Sequence, residues 1–150
     1  MTSKTDIQKT LKRKQKKLVK ALAEVAEAEK SLKNEIIKTD VGGLFFSFHQ
    51  NNSGGYFHDN VNVCEIVVIE AANAVAANAR AEDIGIYFDG DRDCDCCGPR
   101  WYPLWGSERG DDVPSDYGKP LVEHDATHYR SKAIVYYADG TKEVVHFKRK

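Results

Sequence analysis

Cys94, Asp95, Cys96 and Cys97 place three thiols within four consecutive residues, followed at once by Gly98, Pro99, Arg100 and Trp101. Thiolates are soft metal ligands and redox nucleophiles, so this loop is the first place to look for chemistry. Structural zinc is closed by a tetrahedral set of thiolate or imidazole ligands, in pairs separated by roughly two to four residues. Cys94 and Cys97 have that spacing. A second pair stands at His124 and His128, whose imidazoles share one face if the segment is helical. Cys94, Cys97, His124 and His128 therefore define an expected zinc site, with Cys96 as a substitute ligand. The same loop also reads as free thiols packed beneath it, or as a redox or disulfide element, which requires a depressed thiol pKa.

Asp89, Asp91, Asp93 and Asp95 alternate through the loop, but they do not make a calcium site. The calcium-loop signature puts Gly at its sixth position and Glu at its twelfth, and counting from Asp89 gives Cys94 and Arg100. These acids read as a solvated loop face. Asn51, Asn52, Ser53, Gly54 and Gly55 form a second turn-rich loop whose backbone N–H groups suit an anion, although a plain hairpin loop is the readier explanation. No Lys-Ser/Thr ending follows, so a nucleotide phosphate loop is excluded. Arg100, Trp101 and Tyr102 offer a planar donor fork and aromatic faces for gripping a partner or flat ligand. Their other reading is a Trp covering the sheet edge with Arg100 paired to the loop acids. No nucleophile or metalloenzyme signature completes a catalytic set, which points to a non-enzymatic protein.

Positioning these loops falls to the rest of the chain. From about Thr5 to Lys38 there is neither Gly nor Pro, and Ala, Leu, Lys and Glu predict one helix of roughly 50 Å at about 1.5 Å per residue. Leu11, Leu18, Val25 and Leu32 recur every seven residues, with Leu22 and Ile36 at companion positions and Gln15 and Glu29 interrupting them. That is an imperfect coiled-coil seam and predicts a homo-oligomer. Lys9, Lys12, Arg13, Lys14, Lys16, Lys17 and Lys20 form a solvated face or a phosphate-directed, salt-sensitive contact with nucleic acid.

After Gly42 and Gly43 the pattern becomes that of a sheet. Leu44–His49 reads as a strand, and Val61–Glu70 as a central strand with an apolar run at Ile66–Ile69. Ala71–Ile84 has helical periodicity with a small-residue face, and Gly85 stands just past its end. Ile86–Phe88 reads as a short extended segment. Residues 106–120 are loop by composition, and Asp139-Gly140 between Ala133–Tyr137 and Val144–Phe147 signals a hairpin. The prediction is an α+β protein: residues 1–40 a basic, coiled-coil-like helix, and residues 41–150 a four- or five-stranded antiparallel or mixed sheet carrying one Ala-rich helix.

Charge separates these two parts. Residues 1–40 hold 11 Lys or Arg against 6 Asp or Glu, and residues 41–150 hold 11 against 17, a net +5 and −6 that sum to −1. No apolar run approaches the roughly 20 residues needed to span a bilayer, so no membrane role is expected. A cytosolic location is the simplest expectation.

The stretch Asn51–Phe57, the run Val68–Ala71 leading into an Ala/Asn-rich helix, the segment Ile84–Phe88 and above all Asp93–Tyr102 resemble a family of small proteins encoded by tailed bacteriophages. The resemblance covers residues 43–105, and that family more often has Asp at the position of Pro99. It implies a phage accessory protein acting in the cytoplasm of an infected bacterium and supplies no activity, substrate or catalytic residue. Together with two turn-rich loops and no catalytic set, it leads to the expectation of a binding protein that engages a host macromolecule, such as a host protein, or sequesters a small nucleotide-like host signal. The alternatives are a virion or assembly component oligomerising through the first helix, and a zinc-binding module contacting nucleic acid through its basic face.

Overall fold

The computed structural model describes residues 4–150, with side chains from Asp6 onward. The chain divides into two compact units between Lys38 and Thr39. The first is the helix α1, Lys4–Thr39, 36 residues long. Its exposed face carries Lys20–Glu24 and Glu35–Lys38 ion pairs at helical spacing. Leu11, Leu18, Leu22, Val25 and Leu32 are each more than half exposed along it. Among the described residues no helix is long and apolar enough to cross a membrane.

The second unit is built on a four-stranded mixed sheet. Its strands are β1 (Leu44–His49), β2 (Ile66–Ala71), β5 (Lys132–Tyr136) and β6 (Lys142–His146), in the order β1-β2-β5-β6. β1 runs antiparallel to β2, β5 runs parallel to β2, and β5 and β6 form the C-terminal hairpin. The α+β architecture expected from the sequence is the one observed. β2 is central because Ile66, Val67, Val68 and Ile69 are fully buried, which a half-buried strand would not permit. Helix α2 (Ala74–Asp83) packs against β2 through buried Ala74, Ala76, Ala77, Ala79 and Ala81. Asn73 caps it, its side chain accepting the Ala76 N–H at 2.9 Å.

Three local expectations are corrected. Val61–Glu65 is not strand, because the Asn60 side chain accepts the N–H groups of Asn62 and Val63 and turns the backbone before β2 begins. Ile86–Phe88 makes no strand either: the Ile86 N–H returns to the Ala81 carbonyl at 3.0 Å, and Phe88 stacks on Phe48. The loop before β5 contains a small ribbon, β3 (Ser115–Asp116) with β4 (Lys119–Pro120), whose turn residues Tyr117 and Gly118 both have positive φ, 51° and 73°. Parallel pairing of β2 with β5 requires a crossover, and that crossover, residues 72–131, carries α2, the cysteine loop and the ribbon. Gly110 lets it dock on the edge strand: an added Cβ would lie 2.8 Å from Leu44 and 2.9 Å from Phe46, beside the two-way backbone bridge of Phe45 and Asp111.

Candidate functional site: an arginine-pinned double loop bearing three thiols

The two loops singled out by composition fold as one unit. Asn51 leaves β1 and donates its backbone N–H to the Arg100 carbonyl at 2.7 Å, while its side-chain amide reaches the Cys97 and Pro99 carbonyls at 2.8 and 3.2 Å. Ser53 Oγ accepts the Cys94 N–H at 2.8 Å. Arg100 then locks the pair. Its guanidinium donates to Ser53 O and Tyr56 O, each at 2.5 Å, and to Gln50 Oε1 at 3.1 Å, with the Tyr56 ring 4.5 Å over its face. Gln50 is itself held, its amide donating to the His58 and Cys64 carbonyls. A planar fork of donors can satisfy this many acceptors at once; a lysine ammonium cannot span them.

Asp93 is the counter-charge. Its side chain is 2% exposed, accepts the Arg100 N–H at 2.7 Å and the Tyr87 hydroxyl at 2.6 Å, and lies 3.7 Å from Arg100 Nε. Burial pushes the Asp93 carboxyl up, but the Tyr87 and Arg100 hydrogen bonds and the Arg100 charge outweigh it and hold the group below its usual value. Burial, and then the Arg100 charge, lower the nearby His58 imidazole. Of the four alternating acids only Asp93 turns inward; Asp89, Asp91 and Asp95 are exposed.

The expected roles of Arg100 and Trp101 as a gripping pair are therefore corrected. Arg100 and Trp101 are 2% and 1% exposed, spent on the interior because unpaired loop carbonyls and a buried carboxylate need the guanidinium. Arg100 instead takes the alternative reading, pairing with a loop acid. Tyr102 remains exposed, as do Asn52, Gly54, Gly55 and Tyr56, while Ser53 is buried and Asn51 partly so. From the far side α2 anchors the loop, Asn78 exchanging two hydrogen bonds with the Leu104 backbone at 2.9 and 3.0 Å.

The thiols stand at the tip. Residues 94–98 make a single helical turn in which the Cys97 and Gly98 N–H groups both reach the Cys94 carbonyl, at 3.1 and 3.0 Å, and Gly98 ends it with φ 77°. This wraps the sulfurs of Cys94, Cys96 and Cys97 within 4.8 Å of one another. Cys94 Sγ lies 2.9 Å from Cys96 Sγ, which lies 3.6 Å from Cys97 Sγ. Hydrogen bonds from the Cys96 and Cys97 thiols, and then from their amides, bring Cys94 down to about 7, whereas interactions with Cys94 and then Cys97 push Cys96 up to about 11. Cys64, by contrast, is buried beside β2 with its thiol raised by burial.

The zinc set expected from spacing is not the set the fold assembles. His124 and His128 do not sit on a helix: His124 is extended, with Nε2 3.1 Å from the Lys119 carbonyl and its ring against Phe147, and Asp125 forms a bridge to Lys148. His128 rests edge-on to Tyr129. Among the described residues the cluster of metal-competent atoms is Cys94, Cys96 and Cys97, with neither histidine in it.

One polar cluster escaped sequence reasoning. His49 Nε2 meets the carboxylate of Asp116, which is 1% exposed, and the ring stacks at 4.6 Å on Tyr117 of the β3–β4 turn. Arg130 stands 3.5 Å from the second Asp116 oxygen and donates to Glu65 at 2.8 and 3.0 Å. Burial raises the Asp116 carboxyl, and His49 and Arg130 more than reverse this, leaving it below its usual value. Five positions spread from residue 49 to residue 130 leave no local motif to find.

The family described as a domain of unknown function, DUF7296, matches residues 43–150. The chain belongs to this family. No curated protein and no solved structure matches it. The DUF7296 span contains both loops, the sheet and α2, whereas α1 lies ahead of it.

Proposed function

We propose that this DUF7296 protein is a non-enzymatic binding module, a phage accessory protein of the infected bacterial cytoplasm, whose contact surface is the solvent side of the pinned double loop. One observation carries the reading: the buried Arg100 ties the 50–56 and 93–101 segments into one body while Asn52, Gly54, Tyr56, Cys96, Cys97 and Tyr102 stay exposed. A loop fixed before contact avoids an ordering cost of about 0.5–1.5 kcal/mol for each side chain it would otherwise immobilise on binding. Tyr56 and Tyr102 offer rigid amphipathic faces and Asn52 a donor–acceptor amide, a set suited to a host protein or a small nucleotide-like ligand. The phage setting is supported by the resemblance of the two loops to tailed-phage proteins.

The test compares full-length protein with an Asn52→Arg/Tyr102→Ala variant, neither position belonging to the pin. Both are purified from the bacterial host and analysed by native mass spectrometry. A bound host protein or small molecule present on the wild type and lost from the variant supports the proposal; identical profiles contradict it.

A second reading has its own observation. The exposed seam of Leu11, Leu18, Val25 and Leu32 on α1 favours an assembly component that oligomerises through this helix.

A further inference from the structure

We propose that Cys94, Cys96 and Cys97 form a three-thiolate site for one thiophilic d10 metal ion, such as Zn(II), Cd(II) or Cu(I), with a further coordination position left open to solvent. This deepens the binding-module reading and rests on it for the use of the open position, which a ligand atom of the partner or of a small molecule would fill.

The three sulfurs already converge. Thiolates tetrahedrally disposed about 2.3 Å from zinc lie about 3.8 Å apart. The Cys96–Cys97 separation of 3.6 Å meets that value, and the Cys94–Cys96 separation of 2.9 Å is short of it but far longer than the roughly 2.05 Å of a disulfide. All three sulfurs lie within 4.8 Å of one another, close enough for one ion to gather them. The backbone of the turn is held independently of any ion: Cys94 O receives two amides, Ser53 Oγ holds the Cys94 N–H, and Asn51 holds the Cys97 and Pro99 carbonyls.

The donor set decides the class of ion. Three sulfurs without a carboxylate or imidazole select soft ions and exclude calcium and magnesium, which demand oxygen. The exposed position of Cys96 and Cys97 leaves one side of such an ion uncovered, which separates this site from a closed structural zinc centre. Each thiol that becomes a sulfur–metal bond releases one proton to solvent, and no electron is transferred.

The experiment titrates the full-length, reduced protein with Zn(II) and Cd(II) under anaerobic conditions. Native mass spectrometry counts ions, and the near-ultraviolet sulfur-to-cadmium charge-transfer band reports thiolate bonds. The expected result is one ion per chain with the band present. Cys94→Ser, Cys96→Ser and Cys97→Ser should each weaken binding by more than the roughly 10–100-fold typical of losing an outer hydrogen-bond partner. His124→Ala and His128→Ala should leave affinity unchanged. Circular dichroism confirms that the serine variants, altered at the exposed tip, are folded. Absence of a stoichiometric ion overturns the proposal. So does binding that survives Cys96→Ser, binding that falls with either histidine variant, or a reduced protein that refuses metal and forms an internal disulfide on mild oxidation. The Asn52→Arg/Tyr102→Ala variant keeps the two readings apart: it leaves the thiols in place, so loss of partner with metal retained concerns the contact surface, and partner retained without metal concerns this site alone.

Discussion

Removing the Arg100 guanidinium strands the Ser53 and Tyr56 carbonyls, leaves the Gln50 oxygen with the His58 N–H alone, and leaves the buried Asp93 carboxylate without its nearest cation. Breaking a buried pair in this way typically costs about 3–5 kcal/mol. Arg100→Ala should therefore lower stability by that amount in denaturant unfolding, with Arg100→Lys recovering little because one point charge cannot replace the fork. Asp93 also sets a pH dependence. Its folded pKa lies below the unfolded value of about 3.9, so its contribution is complete above that pH and is lost as pH falls from there through the folded value. Asp116 adds the same sign. Stability measured against pH should fall below about pH 4, and Asp93→Asn should flatten that acid limb while lowering the neutral plateau. At this scale the sequence discloses which residues are unusual but not which way they face. Arg100 and Trp101 look like contact residues because a loop of Gly, Asp and Cys reads as surface. The direction of Arg100 is decided by the carbonyls of a second loop more than 40 residues away, which no spacing reveals.

At the scale of elements, β2 carries the sheet. Ile69 is fully buried at its centre, opposite Phe46 on β1 and Tyr136 on β5. Ile69→Ala should cost about 2–5 kcal/mol, through lost transfer energy and the cavity left behind. Thermal and urea unfolding measure this, and a cost under about 1 kcal/mol would show that the strand is not the packed centre. The period-two and unbroken apolar patterns make β1, the core of β2 and the hairpin legible, and the Ala-rich periodicity does the same for α2. The parallel pairing of β2 with β5 is not legible, because a crossover of this length imposes no local pattern. The β3–β4 ribbon, two residues per strand, is too short for any alternation. Val61–Glu65 looks like strand by its β-branched residues, but the Asn60 side chain supplies competing hydrogen bonds. The cysteine turn was visible as composition, while its three-sulfur geometry needed Gly98 and the clamp from Asn51.

At the scale of the molecule, the chain forms two compact units. Leu18→Glu or Leu22→Glu should shift any oligomer to monomer in light scattering while leaving the circular dichroism of the sheet unit unchanged. Persistence of the oligomer would place its interface elsewhere. Residues 39–150 should fold without the preceding helix, since the sheet, α2 and both loops lie in the second unit and within the DUF7296 span, and this cut keeps Asp40, the buried partner of Arg80. What unites the contact surface, the thiol cluster and the buried ion pair is the claim that the 50–56 and 93–101 segments behave as one body. Hydrogen exchange on the full-length protein tests it most directly, by comparing wild type with Arg100→Ala. The amides of Asn51, Cys94 and Arg100 should be protected in the wild type and should lose protection together in the variant, with the β2 amides remaining slow to exchange. Loss of protection in one segment alone, with the other unchanged, would contradict the account.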